Sequence, residues 1–351
     1  MHIPSAVEYP TREVPVPGAS VAIAPGVWWL RMPLPFALNH INLWLLEDGD
    51  AWTIIDTGLG NDATRAHWEQ VLGARLGGKP VRRVIVTHYH PDHAGNAGWL
   101  CRKFGVGLWM TQAEYLSAHA VRDLKAGYGV DATLALYGAN GVDGERHARM
   151  ATRGNVYAAQ VTELPASFHQ LLEGDRVAIG GREWRVIVGY GHAPEHASLY
   201  CAETNTLISG DMLLPKISTN VSVWSVEPLG NPLKRFLQSI ERYRELPADV
   251  FVLPSHGLPF RGAHVRVAEL AAHHDARFAE LEAACAAKPR SAAEVLEVIF
   301  PRELDVHQTF FAMGEAVAHL HWLEEEGRMT RCMGADGVAR YQSSARARAV
   351  A

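Results

Sequence analysis

The residues best suited to metal binding or catalysis occupy one short stretch, which reads THYHPDH at positions 87–93. Its histidines and aspartate offer imidazole nitrogen and carboxylate oxygen, which are ligands that suit Zn²⁺. In an extended segment residues two apart face the same way, so His88 and His90 can bind one ion. Pro91 ends the extended run, and Asp92 and His93 are therefore directed to a neighbouring position. The stretch predicts two adjacent metal positions.

A plainer interpretation of this stretch treats Asp92 as only a helix cap and the histidines as scattered polar residues. The helix in question is predicted over Ala94–Phe104 and is ended by Gly105. A chance H-x-H-x-D-H is rare even in a chain with 18 histidines, so the metal-binding interpretation is favoured.

Buried strands are the elements that must position these ligands. Four predicted strands each end just before a potential ligand: Val81–Thr87, Trp184–Val188, Thr206–Ile208 and Val250–Leu253. The residues that follow them are His88, His192, Asp211 and His256. Singly, each would more commonly be a hydrogen-bonded structural residue. Their shared placement at strand ends gives the rigidity that a catalytic site requires.

Further strands and one helix complete the predicted α/β pattern. They are the strands Val21–Trp29, Ile41–Leu46, Trp52–Ile55, Val106–Met110, Arg176–Ile179 and Ser198–Ala202, and a helix between Leu59 and Gly78. Asp56 follows one of these strands and precedes Thr57 and Gly58. Two interpretations of Asp56 have equal weight: a helix cap, or an acid that orients a metal-bound imidazole.

Five motifs in this order resemble the metallo-beta-lactamase superfamily across about residues 20–260. They are DTG at 56–58, THYHPDH at 87–93, GHAP at 191–194, SGD at 209–211 and SHG at 255–257. The resemblance implies an α/β fold, a four-layer αβ/βα sandwich in which two sheets are flanked by helices.

The resemblance also implies a ligand set for two zinc ions, with manganese or iron as the alternatives. His88, His90 and His192 would bind the first ion, Asp92, His93 and His256 the second, and Asp211 would bridge them. His192 is favoured over His196 as the ligand, because it directly follows its strand at the family's spacing from Asp211. His196 would then support a ligand or contact substrate.

The implied activity is hydrolysis of an ester, thioester or lactone-type small substrate by a hydroxide that bridges the metals. Asp92 would orient this hydroxide or receive the proton, and Tyr89, His196 and Asn220 are candidates for substrate contacts. An acidic residue at 211 argues against antibiotic hydrolysis. The alternatives are an endoribonuclease-like phosphodiesterase acting on single-stranded RNA and, less favoured, a non-catalytic metal-binding scaffold.

The C-terminal region has a second, smaller resemblance, to a winged-helix appendage of this superfamily. A helix over His264–Lys288, a capping box at Ser291–Glu294, a helix over Phe310–Glu326 and a hairpin over Met329–Tyr341 carry it. We predict a catalytic domain at 1–288 with a helical insertion at about 111–165, a winged-helix-like domain at 289–342 and a disordered tail at 343–351. Its many apolar positions predict burial against the catalytic domain or against a second copy in a homodimer.

Composition narrows the remaining classes of protein. The 351 residues are 48% hydrophobic and 20% charged, as in an ordinary globular enzyme, and the net charge of −5 provides no overall basic field for nucleic acid. Four cysteines far apart, with no signal peptide and no apolar run of membrane length, predict a cytoplasmic protein that does not enter a membrane.

Overall fold

The computed structural model describes residues 5–36, 38–152 and 154–344 and divides into two compact units. Unit 1 comprises Met1–Asp123, Val156–Thr219 and Ser239–Val267. Unit 2 comprises Leu124–Asn155, Asn220–Gln238 and Ala268–Ala351. The domain boundaries predicted from the sequence remain predictions. Of the predicted tail, Ser343 ends the last strand and residues 345–351 lie outside the described residues.

Two β-sheets form the frame of unit 1. The seven-stranded sheet runs in chain order through β1 (Ser20–Ala24), β2 (Val27–Pro33), β3 (His40–Asp48), β4 (Ala51–Ile55), β5 (Val81–Ile85), β6 (Leu108–Met110) and β7 (Phe168–Gln170). The five-stranded sheet contains β8 (Arg176–Ile179), β9 (Arg182–Gly189), β10 (His196–Cys201), β11 (Thr206–Gly210) and β12 (Phe251–Pro254), in the order β12-β11-β10-β9-β8. Parallel pairing of β4 with β5 and of β11 with β12 brings ligand-bearing strand ends to one edge of each sheet.

Helices are present in both units. They are α1 (Asp62–Arg75), α2 (Pro91–Ala94), α3 (Ala97–Phe104), α4 (Gln112–Arg122), α5 (Val130–Ala139), α6 (Gly144–Ala151), α7 (Val156–Gln160), α8 (Pro232–Glu241), α9 (Ala263–Ala284), α10 (Leu296–Ile299) and α11 (Val306–Glu325). Short 3₁₀ helices cover Arg242–Glu245 and Ala293–Val295. Among the described residues, no helix has both the length and the hydropathy needed to cross a membrane.

The core of unit 1 lies on both faces of the first sheet. Between the sheets, Trp29 and Trp44 pack in one buried cluster with Val186 and Leu199 of the second sheet. The opposite face of the first sheet packs against helical side chains such as Trp68 of α1. On the second sheet, the Ser198 hydroxyl lies 2.7 Å from the buried Tyr243 hydroxyl of a 3₁₀ helix. The predicted sandwich of two sheets flanked by helices is confirmed.

Unit 2 contains the elements predicted for the C-terminal region. Strands β13 (Met329–Met333) and β14 (Ala339–Ser343) pair antiparallel as the predicted hairpin. The capping box is present, because Glu294 accepts from the Ser291 amide at 2.7 Å and the Ser291 hydroxyl accepts from the Glu294 amide at 3.3 Å. The helical segment that it begins is short, a 3₁₀ helix over Ala293–Val295 followed by α10.

Two other expectations differ in detail from the structure. The single strand predicted over Val21–Trp29 is two strands, because Gly26 adopts a φ of 73° and turns the chain. Strand β7 was not predicted, since its three residues show no alternation long enough to recognise. Residues 111–165 are helical as expected and contain α4 to α7.

Candidate functional site

The predicted metal ligands come from both sheets of unit 1. The loop after β5 carries His88, His90, Asp92 and His93. The loops after β9, β11 and β12 carry His192, Asp211 and His256. These side chains gather into two groups: His88, His90, His192 and Asp211 in the first, and Asp92, His93 and His256 in the second. Within each group the potential ligand atoms all lie within 4.8 Å of one another.

The first group presents nitrogen atoms to a common point. His88 Nε2 lies 3.0 Å from His90 Nδ1 and 3.2 Å from His192 Nε2, and His192 Nε2 lies 3.4 Å from Asp211 Oδ2. Ligands 2.0–2.1 Å from a tetrahedral zinc ion would be roughly 3.4 Å apart. The spacing of the donor atoms therefore fits a bound zinc ion.

The second group shares Asp211 with the first. Asp211 Oδ1 lies 3.4 Å from His93 Nε2 and 3.5 Å from His256 Nε2, and Asp92 Oδ2 lies 3.4 Å from His256 Nε2. The two oxygens of Asp211 thus face different groups. His93 Nε2 and Asp211 Oδ1 are buried and form no hydrogen bond among the described residues, as expected of atoms that bind a cation.

Electrostatics differ between the two groups. Burial, then the neighbouring imidazoles, hold the pKa of His88 well below its usual value and lower that of His90 to about 3. In the second group burial also opposes protonation, but Asp56 and Asp92 outweigh it and raise the pKa of His93. Asp211 and Asp92 likewise raise the pKa of His256 to about 10. Without a cation, His88 and His90 are therefore neutral, whereas His93 and His256 retain their protons.

Asp56 supports the second group and does not cap a helix. Its Oδ2 lies 2.8 Å from His93 Nδ1, and its carboxylate also accepts from the Thr87 amide at 2.8 Å. Asp56 adopts a φ of 59°, a conformation that costs energy for a residue with a side chain. Helix α1 begins later and is capped by Asn61. Of the two interpretations of Asp56, this geometry favours the acid that orients an imidazole.

The loop of His256 is fixed by residues that the sequence analysis missed. The buried Asn42 side chain donates to the carbonyls of Pro254 at 2.8 Å and Gly257 at 3.0 Å. Arg31 donates to the same Gly257 carbonyl at 2.6 Å, and His256 Nδ1 donates to the His40 carbonyl at 2.8 Å. Because this last contact occupies Nδ1, Nε2 of His256 faces the second group.

Gly257 is required by its conformation and by its surroundings. Its φ is 88°, and a Cβ there would lie 2.6 Å from Pro215 Cγ. No side chain would fit without displacing the loop that carries His256. The sequence alone contained a signal for this requirement, a glycine next to a histidine at a strand end, but not the identity of the contacts.

Glu114 of α4 is a second residue that the sequence analysis missed. Its Oε2 accepts from the Tyr89 amide at 2.9 Å, and its Oε1 accepts from the Glu195 amide at 2.6 Å. Glu114 is fully buried, and burial raises its pKa to about 8. The sequence contains no local signal for this role of Glu114, since its hydrogen-bond partners are 25 and 81 residues away.

The residues suggested for substrate contact are less accessible than expected. His196 is fully buried, its ring centroid is 4.8 Å from that of His88, and its Nε2 accepts from the Asp211 amide at 3.1 Å. This position favours the supporting role over contact with substrate. Tyr89 is only 3% exposed, and Asn220 donates to Glu315 within unit 2 at 3.1 Å. Of the predicted catalytic residues, Asp92 and Asp211 have the side-chain exposure, 17% and 11%, for contact with solvent.

Comparisons with known proteins agree with this geometry. Residues 38–256 match the profile of the Metallo-beta-lactamase superfamily, and residues 278–344 match the Metallo-beta-lactamase-like C-terminal domain. A beta-lactamase domain protein from Burkholderia ambifaria is 46% identical, with 96% of this chain and 98% of that chain covered and a TM-score of 0.90. A metallo-beta-lactamase family protein from Thermus thermophilus is 32% identical, with 92% and 100% covered and a TM-score of 0.79.

Curated relatives include named hydrolases. The probable metallo-hydrolase YqjP of Bacillus subtilis is 27% identical, with 86% of this chain and 93% of the relative covered. Shorter matches are an acyl-coenzyme A thioesterase of Gallus gallus, 25% identical over 54% of this chain and 63% of the relative, and a hydroxyacylglutathione hydrolase of Rhodospirillum rubrum, 32% identical over 28% and 36%. The chain belongs to the metallo-beta-lactamase superfamily and is one of its metallo-hydrolases.

Proposed function

We propose that the protein is a binuclear zinc hydrolase of ester, thioester or lactone-type small molecules. The observation that carries this proposal is the orientation of Asp211, whose two oxygens face two different groups of ligands. A carboxylate in this position suits a pair of adjacent cations. His88, His90 and His192 would hold one ion, and Asp92, His93 and His256 the other. Manganese and iron remain the alternatives to zinc.

The protein's own residues would divide the work of hydrolysis. Bound metals would supply an activated water as nucleophile and a Lewis acid for the electrophile. Asp211 would fix the separation of the two groups. Asp92 is the most exposed of the ligand carboxylates, with 17% of its side chain accessible, so it is the group best placed to orient the water or accept its proton. His196 would hold the Asp211 main chain in place, because its Nε2 accepts a hydrogen bond from the Asp211 amide.

The substrate class is argued from chemistry and from relatives. Two of the similar proteins are named as hydrolases of thioesters, in which an acyl group is joined to sulfur. The net charge of −5 disfavours a polyanionic substrate such as RNA, because phosphate recognition relies on Lys and Arg. An acyl ester or thioester is therefore the substrate class that we propose.

Metal analysis and an activity panel test this function. We expect protein purified without chelator to contain two zinc ions per chain and to hydrolyse at least one of a set of thioesters, lactones and aryl esters. The control His273→Ala, which removes an exposed histidine of α9, should leave both properties unchanged. One ion per folded chain would contradict the binuclear proposal. Cleavage of single-stranded RNA with no cleavage of esters would replace the proposed substrate class.

The assembly state and the cellular location stay predictions from the sequence. A homodimer predicts twice the chain mass in sedimentation equilibrium at micromolar concentration. A cytoplasmic location predicts that a tagged chain fractionates with reduced cytosolic proteins.

A further inference from the structure

We infer that Glu114 is a positioning residue for the first metal group, which makes α4 part of the catalytic apparatus. This inference rests on the proposed function, because it assumes that His88, His90 and His192 bind an ion. Glu114 does not face that ion itself. It acts through the main chain of two loops that carry the three histidines.

The first step of the argument is geometric. Tyr89 stands between His88 and His90, and its amide donates to Glu114 Oε2 at 2.9 Å. Glu195 stands on the loop of His192, and its amide donates to Glu114 Oε1 at 2.6 Å. One carboxyl group thus sets the distance between two loops that are far apart in sequence.

The second step concerns what else joins these loops. The Ala197 amide donates to the Thr87 carbonyl at 2.8 Å, which fixes the loops at the sheet. Beyond that point, the Tyr157 hydroxyl donates to the Tyr89 carbonyl at 2.6 Å, and the Glu195 side chain accepts from the Ala113 amide of α4 at 3.0 Å. Glu114 is therefore at the centre of a network that spans α4, α7 and both loops.

The third step separates positioning from simple stability. Both oxygens of Glu114 accept a hydrogen bond from a main-chain amide, whereas an amide side chain has only one oxygen that can accept. No Lys or Arg forms an ion pair with Glu114 in the described part of the chain, and burial of its carboxyl group carries a desolvation cost, which raises its pKa to about 8. A residue selected only for stability would avoid that cost. The geometry points to a role in holding the ligand loops.

Glu114→Gln is the decisive variant. It keeps the size of the side chain, but its NH₂ group must face one of the two amides, so one hydrogen bond is lost. We expect roughly 10-fold weaker binding of the first ion, within the 10–100-fold range typical when a partner of a metal ligand is removed. Glu114→Ala should weaken binding further. Gln112→Ala, at an exposed position on the same helix, is the matched control.

Cobalt provides a readout other than activity. Co²⁺ is titrated into metal-free protein in competition with a chelator, and the visible ligand-field bands report the coordination. The titrations are repeated in a His256→Ala background, which lacks a ligand of the second group. We expect Glu114→Gln to weaken binding by the same factor in both backgrounds and to alter the bands, and Gln112→Ala to do neither.

The outcomes distinguish the inference from the function on which it rests. A wild-type protein that binds fewer than two Co²⁺ ions would contradict the proposed function. A wild-type protein that binds two, together with a folded Glu114→Gln variant of unchanged affinity and spectrum, would overturn the inference alone. If Glu114→Ala fails to fold, Glu114→Gln still decides the question.

Discussion

Buried histidines cluster in both units, yet among the described residues only the cluster of unit 1 is arranged as a metal site. In unit 2, His274 Nδ1 lies 3.0 Å from His319 Nε2, and His319 Nδ1 lies 2.8 Å from the Glu315 carbonyl. Because a carbonyl only accepts, His319 Nδ1 must donate, and His319 Nε2 must accept from His274. The two nitrogens that face each other in this pair are therefore occupied by the hydrogen bond between them.

In unit 1 the imidazoles face carboxylates as well as one another. His192 Nε2 and His93 Nε2 each lie 3.4 Å from a different oxygen of Asp211, and His256 Nε2 lies 3.4 Å from Asp92 Oδ2. In unit 2 the neighbouring carboxyl, that of Glu315, accepts from Asn220, and burial raises its pKa to about 7. The metal site is marked by imidazole nitrogens that converge with carboxylate oxygens, which balance the charge of a cation. The number of histidines does not mark it.

The largest expected effect follows from replacing Asp211, the residue that both groups of unit 1 share. We expect Asp211→Ala to lower turnover by about a thousandfold or more and to weaken binding of both metals, because each group loses one oxygen ligand. Metal content and kcat measured on the same preparation test this. His319→Gln, in the other cluster, should keep two ions, and loss of metal from that variant would contradict the distinction between the clusters.

Zinc should stabilise the protein only through the histidine cluster of unit 1, which contains both groups of ligands. Free zinc at a thousand times Kd should raise the free energy of unfolding of the metal-free protein by about 4 kcal/mol for each ion bound only by the folded state. Urea unfolding with and without zinc measures this difference. His256→Ala should lose part of the increment, whereas His274→Gln should keep all of it. An equal loss in both variants would mean that the two clusters respond to the same ion.

The supports of the His256 loop should have a large effect on stability. Asn42→Leu would leave Trp29 Nε1, now 2.9 Å from Asn42 Oδ1, and Arg31 Nε, at 3.0 Å, without their acceptor. Unpaired buried donors cost about 1–3 kcal/mol each, so we expect a loss of about 3 kcal/mol in the free energy of unfolding and weaker binding of the second ion. Asn61→Ala, which removes the cap of α1, should cost only about 1 kcal/mol and leave metal binding unchanged.

The sequence predicted what is encoded locally. The stretch at 87–93 identifies its own ligands because their spacing is short, and the strands that end before His192, Asp211 and His256 are recognisable from their apolar runs. The hydrogen-bonded supports could not be predicted. Asn42 contacts a carbonyl 212 residues away, and Glu114 an amide 81 residues away, so neither has a local signal. Asp56 stayed ambiguous because a capping acid and a supporting acid look alike before the fold is known.

The hydrogen-bonded histidine pair of unit 2, His274 and His319, gives the smallest expected effect, which appears only at acidic pH. Burial, then His319, lower the pKa of His274 to about 3, so the unfolded chain takes up a proton below about pH 6.5 that the folded chain does not. Stability must therefore fall with decreasing pH between about 6.5 and 3, by at most about 1.4 kcal/mol per pH unit for this residue. The raised pKa of Glu315 changes the free energy of unfolding with pH in the opposite direction. Glu315 is present in both proteins compared, so its contribution largely cancels.

We expect His274→Gln to lose less stability than the wild type between pH 7 and pH 5 in urea unfolding of metal-free protein. His273→Gln, at the exposed neighbouring position, should follow the wild type. Parallel curves for the wild type and His274→Gln would mean that the pair is hydrated and titrates normally.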